Sequence, residues 1–371
     1  MEKEKVEKLA KTIVTHSIKL RKGENVLIES FDTNEVFVNA IIKEVYLVGG
    51  NPIVKKRDTK ELRQLIKGAT KEQLKLWSEI DDYEMNKMDA YIGMRGQNNV
   101  FEYSDITSEQ MSLFHQIYTN KVHVNTRVKQ TKWLILRYPN ESMAQQAKMS
   151  TEAFQKYYFD VCTVDYQKMS IAMEHLVTLM DKTDKVRITG KETDLTFSIK
   201  NIPSVKCAGT LNLPDGEVYT APVKDSVNGT ILFNTPSSYD GFVFEKVKLR
   251  FDNGKIVKAE ANDSDRINHI LDTDEGARYI GEFAIGVNPF ILEPMGDILF
   301  DEKITGSIHL TPGQCYDDAY NGNHSSIHWD FVFIQRPEYG GGELWFDDRL
   351  IRKDGRFVLP ELQCLNVESL K

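Results

Sequence analysis

The amino-acid sequence predicts an α/β protein of two domains: an N-terminal α/β domain over residues 1–185 with a mostly parallel sheet, and a C-terminal strand-rich α+β domain over residues 186–371. Three observations carry this expectation. The chain has 371 residues, enough to bury two hydrophobic cores. Helix-period and strand-period segments alternate through the first half, as they do when helices cover a parallel sheet. Near residue 185 the pattern changes to short alternating runs joined by turn residues.

From Val6 to Leu20 the apolar residues Val6, Leu9, Ala10, Ile13 and Val14 follow a helical period, and "GENVLIES" then reads as a strand. "TNEVFVNAIIKEVYLVGG" reads as a helix with Thr33 as N-cap and Gly49–Gly50 as its stop, because glycine takes the left-handed conformation that ends helices. "NPIVKKRD" is the next strand, followed by one long helix from Lys60 to Met88 and a strand at "AYIGMRG". A helix from Ser108 to Tyr118 and a strand at "WLILRYP" continue the alternation. "MAQQAKMSTEAFQKYYFDVC" and "DYQKMSIAMEHLVTLMDK" are further helices. Beyond them, "TDKVRITGKETDLTFSI" holds two runs joined by a turn, and "GFVFEKVKLRFDNGKIVKAEA" carries the Asn-Gly hairpin signal at Asn253 and Gly254.

Composition removes several function classes. With 47 Lys plus Arg against 55 Asp plus Glu and a net charge of −8, the chain lacks the basic stripe that a phosphate backbone requires, so no nucleic-acid partner is expected. The first segment, "MEKEKVEKLAKTIVTHSIKL", is charged where a secretory signal is apolar, and no stretch reaches the roughly 18 apolar residues of a membrane span. The four cysteines, Cys162, Cys207, Cys315 and Cys364, are scattered without a C-x-x-C pair. A soluble, cytoplasmic protein without a membrane partner is expected. Phosphate-binding loops, dinucleotide fingerprints, H-E-x-x-H and G-x-S-x-G are all absent from the sequence.

What remains is a set of carboxylates and imidazoles in the second half. In "SIHWDFVF", Ile327, Trp329 and Phe331 alternate with His328, Asp330 and Val332, so a strand would aim His328 and Asp330 from one face. Such a pair is also common on a solvated face, and His324 just before it falls in a loop. His309 in "GSIHLTPGQCY" lies between apolar neighbours and needs a polar partner if buried. Glu217 follows a Pro-Asp-Gly turn in "LPDGEVYTAP"; Glu282 sits among apolar residues in "ARYIGEFAIGVN" and must meet a cation, whether a metal or a neighbour such as Arg278. Glu302 lies in "LFDEKITGS", where "DEK" reads as a solvated turn. Carboxylates with imidazoles and no thiolate suit zinc, cobalt or manganese, and so many acidic ligands suit two ions better than one.

These segments resemble a known family. "PDGEVYTAP", "RYIGEFAIGVN", "DEKITGSIHL", the Tyr of "GQCY" and "SIHWDFV" occur in the order of the aminopeptidase T and aminopeptidase S metallopeptidases. The likeness runs from "VTHSIKLRKGENVLI" and "VYLVGGNPIV" through "GKETDLTFSI", so it spans essentially the whole chain. It implies that Glu217, Glu282, Glu302, His309, His328 and Asp330 surround two divalent metal ions, with Tyr316 beside them. Glu302 stands seven residues before His309, a slightly wider spacing than in other members, and the segment from His309 to His328 is shorter than in some.

The resemblance also implies a C-terminal metal-carrying domain and a homodimer that shields the active site and admits short peptides. The expected reaction is removal of N-terminal residues from peptides with a free N-terminus, by water activated on the metals. Glu217 or Glu282 would bridge the ions, Glu217 and Tyr316 are the candidate catalytic groups, and the Tyr316 phenol suits an oxyanion. A catalytically silent relative that binds metal or peptide, and a different amide or ester metallohydrolase, are the alternatives.

Overall fold

The computed structural model describes residues 3–239 and 241–371 and divides into two compact units. The first comprises residues 1–163 with 209–214, the second residues 164–208 with 215–371. The change of composition marks residue 185, some twenty residues later than this division. The helix Tyr166–Met180 accounts for the difference, because it packs on Val205–Cys207 and the turn Pro360–Leu365 of the second unit.

The first unit is a parallel α/β layer. Strands β1 (Asn25–Phe31), β2 (Asn51–Arg57), β3 (Ala90–Arg95) and β4 (Lys132–Arg137) lie in the order β2-β1-β3-β4, with the short Asn212–Leu213 parallel to β4 at the edge. β1 and β3 are buried almost throughout, as strands covered on both faces must be. β2 is largely exposed and tolerates Pro52, as an edge strand does.

Caps decide where the helices begin. Asn34, rather than Thr33, caps α1 (Glu35–Leu47) by accepting from the Val36 amide. Thr33 instead bonds Ser30 through its hydroxyl. The helix expected from Lys60 to Met88 is two helices, α2 (Thr59–Gly68) and α3 (Lys71–Met85), because Gly68 ends the first and Thr70 caps the second. The helix that starts at Ser108 runs on in π-helical form to Val128, well beyond Tyr118.

The second unit is strand-rich. Its eight-stranded antiparallel sheet contains both expected hairpins: Lys185–Gly190 with Thr193–Ser198, and Lys248–Asp252 with Lys255–Glu260. At the tip of the latter, Asn253 and Gly254 have φ of 46° and 82°, the positive values a type I′ turn needs. A second sheet runs Phe331–Ile334, Ser307–Pro312, Ile280–Gly286, Glu217–Thr220, Val205–Cys207, with each neighbouring pair antiparallel. This sheet positions the chemistry. Among the described residues no helix is long and apolar enough to cross a membrane.

Candidate metal centre

Register brings the candidate residues to one region of the second sheet. Gly286 pairs with Glu217, Ala284 with His309, and Thr311 with Glu282, so Glu217, Glu282 and His309 come from three adjacent strands. Gly216 has φ of 137°, and a Cβ there would stand 2.9 Å from the Cβ of Asn288, so the turn that presents Glu217 has no room for a side chain. Glu302 follows the short helix Ile298–Asp301. His328 and Asp330 lie just before the strand Phe331–Ile334 rather than within it; His328 makes a single bridge to Gly313. Their side chains nonetheless approach each other, His328 Nε2 lying 3.6 Å from Asp330 Oδ1.

Two groups of potential ligands result. Glu217, Glu302 and His309 form one, and Glu282, His328 and Asp330 the other; within each, one donor atom per residue lies within 4.8 Å of the others. Glu282 stands between them, with Oε1 3.1 Å from His309 Nε2 and Oε2 3.4 Å from His328 Nε2. Both imidazoles are held from behind: His309 Nδ1 is 3.3 Å from the Glu302 carbonyl, and His328 Nδ1 is 2.8 Å from the Gln314 carbonyl. An Nδ1–H donated to a carbonyl leaves Nε2 as the lone-pair nitrogen, the arrangement of histidines that ligate metals. Asp330 is steadied by the Thr311 hydroxyl at 2.5 Å.

The electrostatics show carboxylates crowded beyond what the protein neutralises in comfort. Burial pushes Glu217 up to about 7 against the lowering pull of Lys303 and His309, and its Oε2 is buried without a hydrogen-bond partner. Burial also penalises the charged form of Glu282, but hydrogen bonds with His309 and His328 overcome it and take the group down to about 2. In the same way the charges of Asp330 and Glu282 outweigh burial at His328 and raise it to about 10. An orphaned carboxylate oxygen amid oxygen and imidazole donors is a set that divalent cations fit. The Tyr316 ring lies 4.8 Å from His328 and 5.6 Å from Tyr219, and its side is open, the residue being 47% exposed. Desolvation and the charges of Glu282 and Asp330 hold its phenol well above the ordinary range, so it remains a donor.

Several participants are not legible in the sequence. Lys303 is fully buried, with Nζ 3.4 Å from Glu217 Oε1 and in contact with the Glu302 carboxylate. "DEK" is therefore no solvated turn. Cys207 and Asp215 group with Glu217, which places a thiol among the donors. Burial and the charges of Asp215 and Glu217 keep that thiol protonated by raising it well above its ordinary value. Cys207 pairs directly with Glu217 on the neighbouring strand, a register that a lone cysteine in the sequence does not signal. Arg278, the neighbour weighed as a partner for Glu282, pairs with Asp272 instead. His324 bonds the Tyr320 hydroxyl at 2.9 Å and belongs to neither ligand group.

Comparison with known proteins identifies the family. The profile of a family described as thermophilic metalloprotease (M29) matches residues 2–343. The chain is 23% identical to Aminopeptidase PepS of Streptococcus thermophilus, over 89% of this chain and 92% of that one. It is 24% identical to Aminopeptidase AmpS of Bacillus subtilis, over 86% and 85%. Among solved structures, AmpT from Thermus thermophilus is similar in fold, with a TM-score of 0.82 at 20% identity over 96% of this chain and 100% of that one.

Proposed function

The chain belongs to the thermophilic metalloprotease family M29 and is a metallopeptidase, and we propose that it is an aminopeptidase working on short peptides through two divalent ions, zinc, cobalt or manganese. Glu217, Glu302 and His309 would hold one ion, and His328 and Asp330 the other, with Glu282 shared between them. The observation that carries this reading is the pair of imidazoles, each with Nδ1 on a backbone carbonyl and Nε2 facing the two oxygens of Glu282. When bound, such ions supply a water of near-neutral pKa and polarise the scissile carbonyl.

The rest is the work of side chains. Glu282, with one oxygen toward each imidazole, is placed to bridge. Glu217 keeps one oxygen without a hydrogen-bond partner, so we assign it the proton that leaves the attacking water and passes to the departing amine. Lys303 fixes the other Glu217 oxygen from the buried side. Tyr316, open on its outer side, donates a hydrogen bond to the oxyanion that develops at the attacked carbonyl. Function in the cytoplasm as a homodimer belongs to the same reading, and the relatives' names support the aminopeptidase assignment.

The test is mass-spectrometric analysis of a small peptide set, each sequence supplied with a free and an acetylated N-terminus, on protein loaded with each metal in turn. Stepwise loss of N-terminal residues from free peptides only, abolished by a chelator, is expected. Cleavage of acetylated peptides would make it a different amide hydrolase, and no cleavage despite bound metal would make the centre a silent clamp.

A further inference from the structure

The first unit holds a second polar constellation, remote in the chain from every residue used above. A cavity of about 230 Å³ opens at the carboxyl ends of β1, β2 and β3, lined by Glu29, Phe31, Arg57 and Arg95 from the sheet. β1 connects to β2 on one side, and the chain then crosses to β3 on the other. This is the topological switch point, where open α/β sheets leave a crevice for ligands. Gly93, in the middle of β3, leaves room for the Tyr91 side chain, because a Cβ there would stand 2.7 Å from the Tyr91 hydroxyl.

The charges at this crevice do not close on themselves. Arg57 is committed, with Nε 3.0 Å from Glu29 Oε1 and Nη2 2.5 Å from Asp81 Oδ2. Tyr91 donates to the other Glu29 oxygen at 2.7 Å. Arg127, only 4% exposed and stacked 4.3 Å over Tyr91, brings Nη2 to 3.0 Å from Glu29 Oε2 without hydrogen-bond alignment, and its Nε has no partner. Arg95 reaches the Tyr91 hydroxyl at 3.3 Å through Nη2, while its Nη1 is buried and unpartnered. His123 Nδ1 is likewise buried without a partner. Lys55, Arg57 and Arg127 pair with Glu29, Asp81 and Glu84, whereas Arg95 reaches only the Tyr91 hydroxyl among polar groups. Near Tyr103, Asp32 and Asp58 are taken up by the Thr59, Lys60 and Glu61 amides. Buried guanidinium donors left unmade are costly, and a guanidinium cannot shed its proton.

The far wall is aromatic. Trp77, Phe114 and Tyr118 all line the cavity, with Phe114 and Tyr118 stacked at 5.0 Å and Trp77 4.6 Å from Tyr118. We propose that this crevice binds a small monocarboxylate with an aromatic body, its carboxylate on Arg95 and Arg127 and its ring against Trp77 and Phe114. One guanidinium without a carboxylate partner suits a monoanion better than a phosphate dianion. Both oxygens of Glu29 already accept from Arg57 and Tyr91, so no carboxylate at the crevice stands unpaired to meet an ammonium group, and a free amino acid fits less well than an acid without one. The volume is that of roughly seven or eight waters, enough for a ring on a short acid chain.

The experiment is calorimetric titration of the full-length, metal-loaded protein with 3-phenylpropanoate, 3-phenylpropan-1-ol, L-phenylalanine and inorganic phosphate. Saturable binding of 3-phenylpropanoate is expected, at least about tenfold tighter than any of the other three. Arg95→Gln should weaken it by about tenfold or more, whereas Trp77→Phe, which keeps an aromatic wall, should weaken it by less than Arg95→Gln and remove the accompanying change in tryptophan fluorescence. Should Arg95→Gln fail to fold, crystals soaked with 3-(4-bromophenyl)propanoate should show bromine against Trp77 and Phe114. Absence of saturable binding, equal binding by Arg95→Gln, a preference for phosphate, or bromine at the metal ligands would each overturn the proposal.

Discussion

Glu282 is the residue on which the centre turns, since each of its oxygens faces a different imidazole. Glu282→Gln should lose metal from both groups of ligands, seen as a fall in bound metal by elemental analysis while the circular dichroism spectrum is kept. Tyr316→Phe should lower kcat by about a hundredfold with little change in KM, because an oxyanion contact exists mainly in the transition state. A rise in KM alone would make Tyr316 a binding residue. Lys303→Met would strand the buried Glu217 carboxylate and the partly buried Glu302 one, and should cost about 3–5 kcal/mol in urea unfolding. Burial, aided by the charges of Arg127 and Arg95, lowers His123 to about 4. The unfolded chain then binds more protons than the folded one below the ordinary histidine value, so this contribution is complete above pH ~6.5 and is lost as pH falls toward 4, by about 2–3 kcal/mol. His123→Gln should flatten that part of the stability profile. Glu217, Glu282, His309, His328 and Asp330 were singled out in the sequence, but only the family resemblance drew them into one centre, because each motif alone reads equally as a solvated face or a paired core residue. Lys303 was not, because three consecutive charged residues read as solvated and only the packing of the second unit shows that Asp301 and Lys303 are buried.

At the level of elements, periodicity and turn chemistry were read directly where one local signal decides. The hairpin at Asn253–Gly254 is such a case: the two positive φ values follow from residues able to adopt them. Where two signals competed, the reading went astray. Between Lys60 and Met88 the apolar period runs through Gly68 and Thr70, yet the Thr70 hydroxyl accepts from the Gln73 amide and starts a new helix. Thr70→Ala should therefore cost about 1 kcal/mol in thermal or urea unfolding, and no change would remove the cap from the explanation. The alternation of "SIHWDFVF" suggested a strand, but His328 and Asp330 lie outside it because Gly313 and the turn after it leave them only one bridge partner. Their shared direction survives, since extended backbone alternates side chains whether or not it is paired.

For the molecule as a whole, the α/β class and the division into a parallel-sheet half and a strand-rich half were legible from alternation and its loss. The return of residues 209–214 to the first unit was not, because a two-residue edge strand leaves no periodicity to read. The crevice of the first unit was equally hidden: its arginines come from three distant segments and converge only when the parallel sheet forms. In the proposed centre, six residues drawn from one antiparallel sheet and its loops would hold two ions. Native mass spectrometry during metal titration tests it most directly, with peptide hydrolysis followed in the same samples. Two metal equivalents per chain are expected, with hydrolysis rising as the second is filled, and no more than one in Glu282→Gln. A single equivalent at full activity, or two retained by Glu282→Gln, would contradict it.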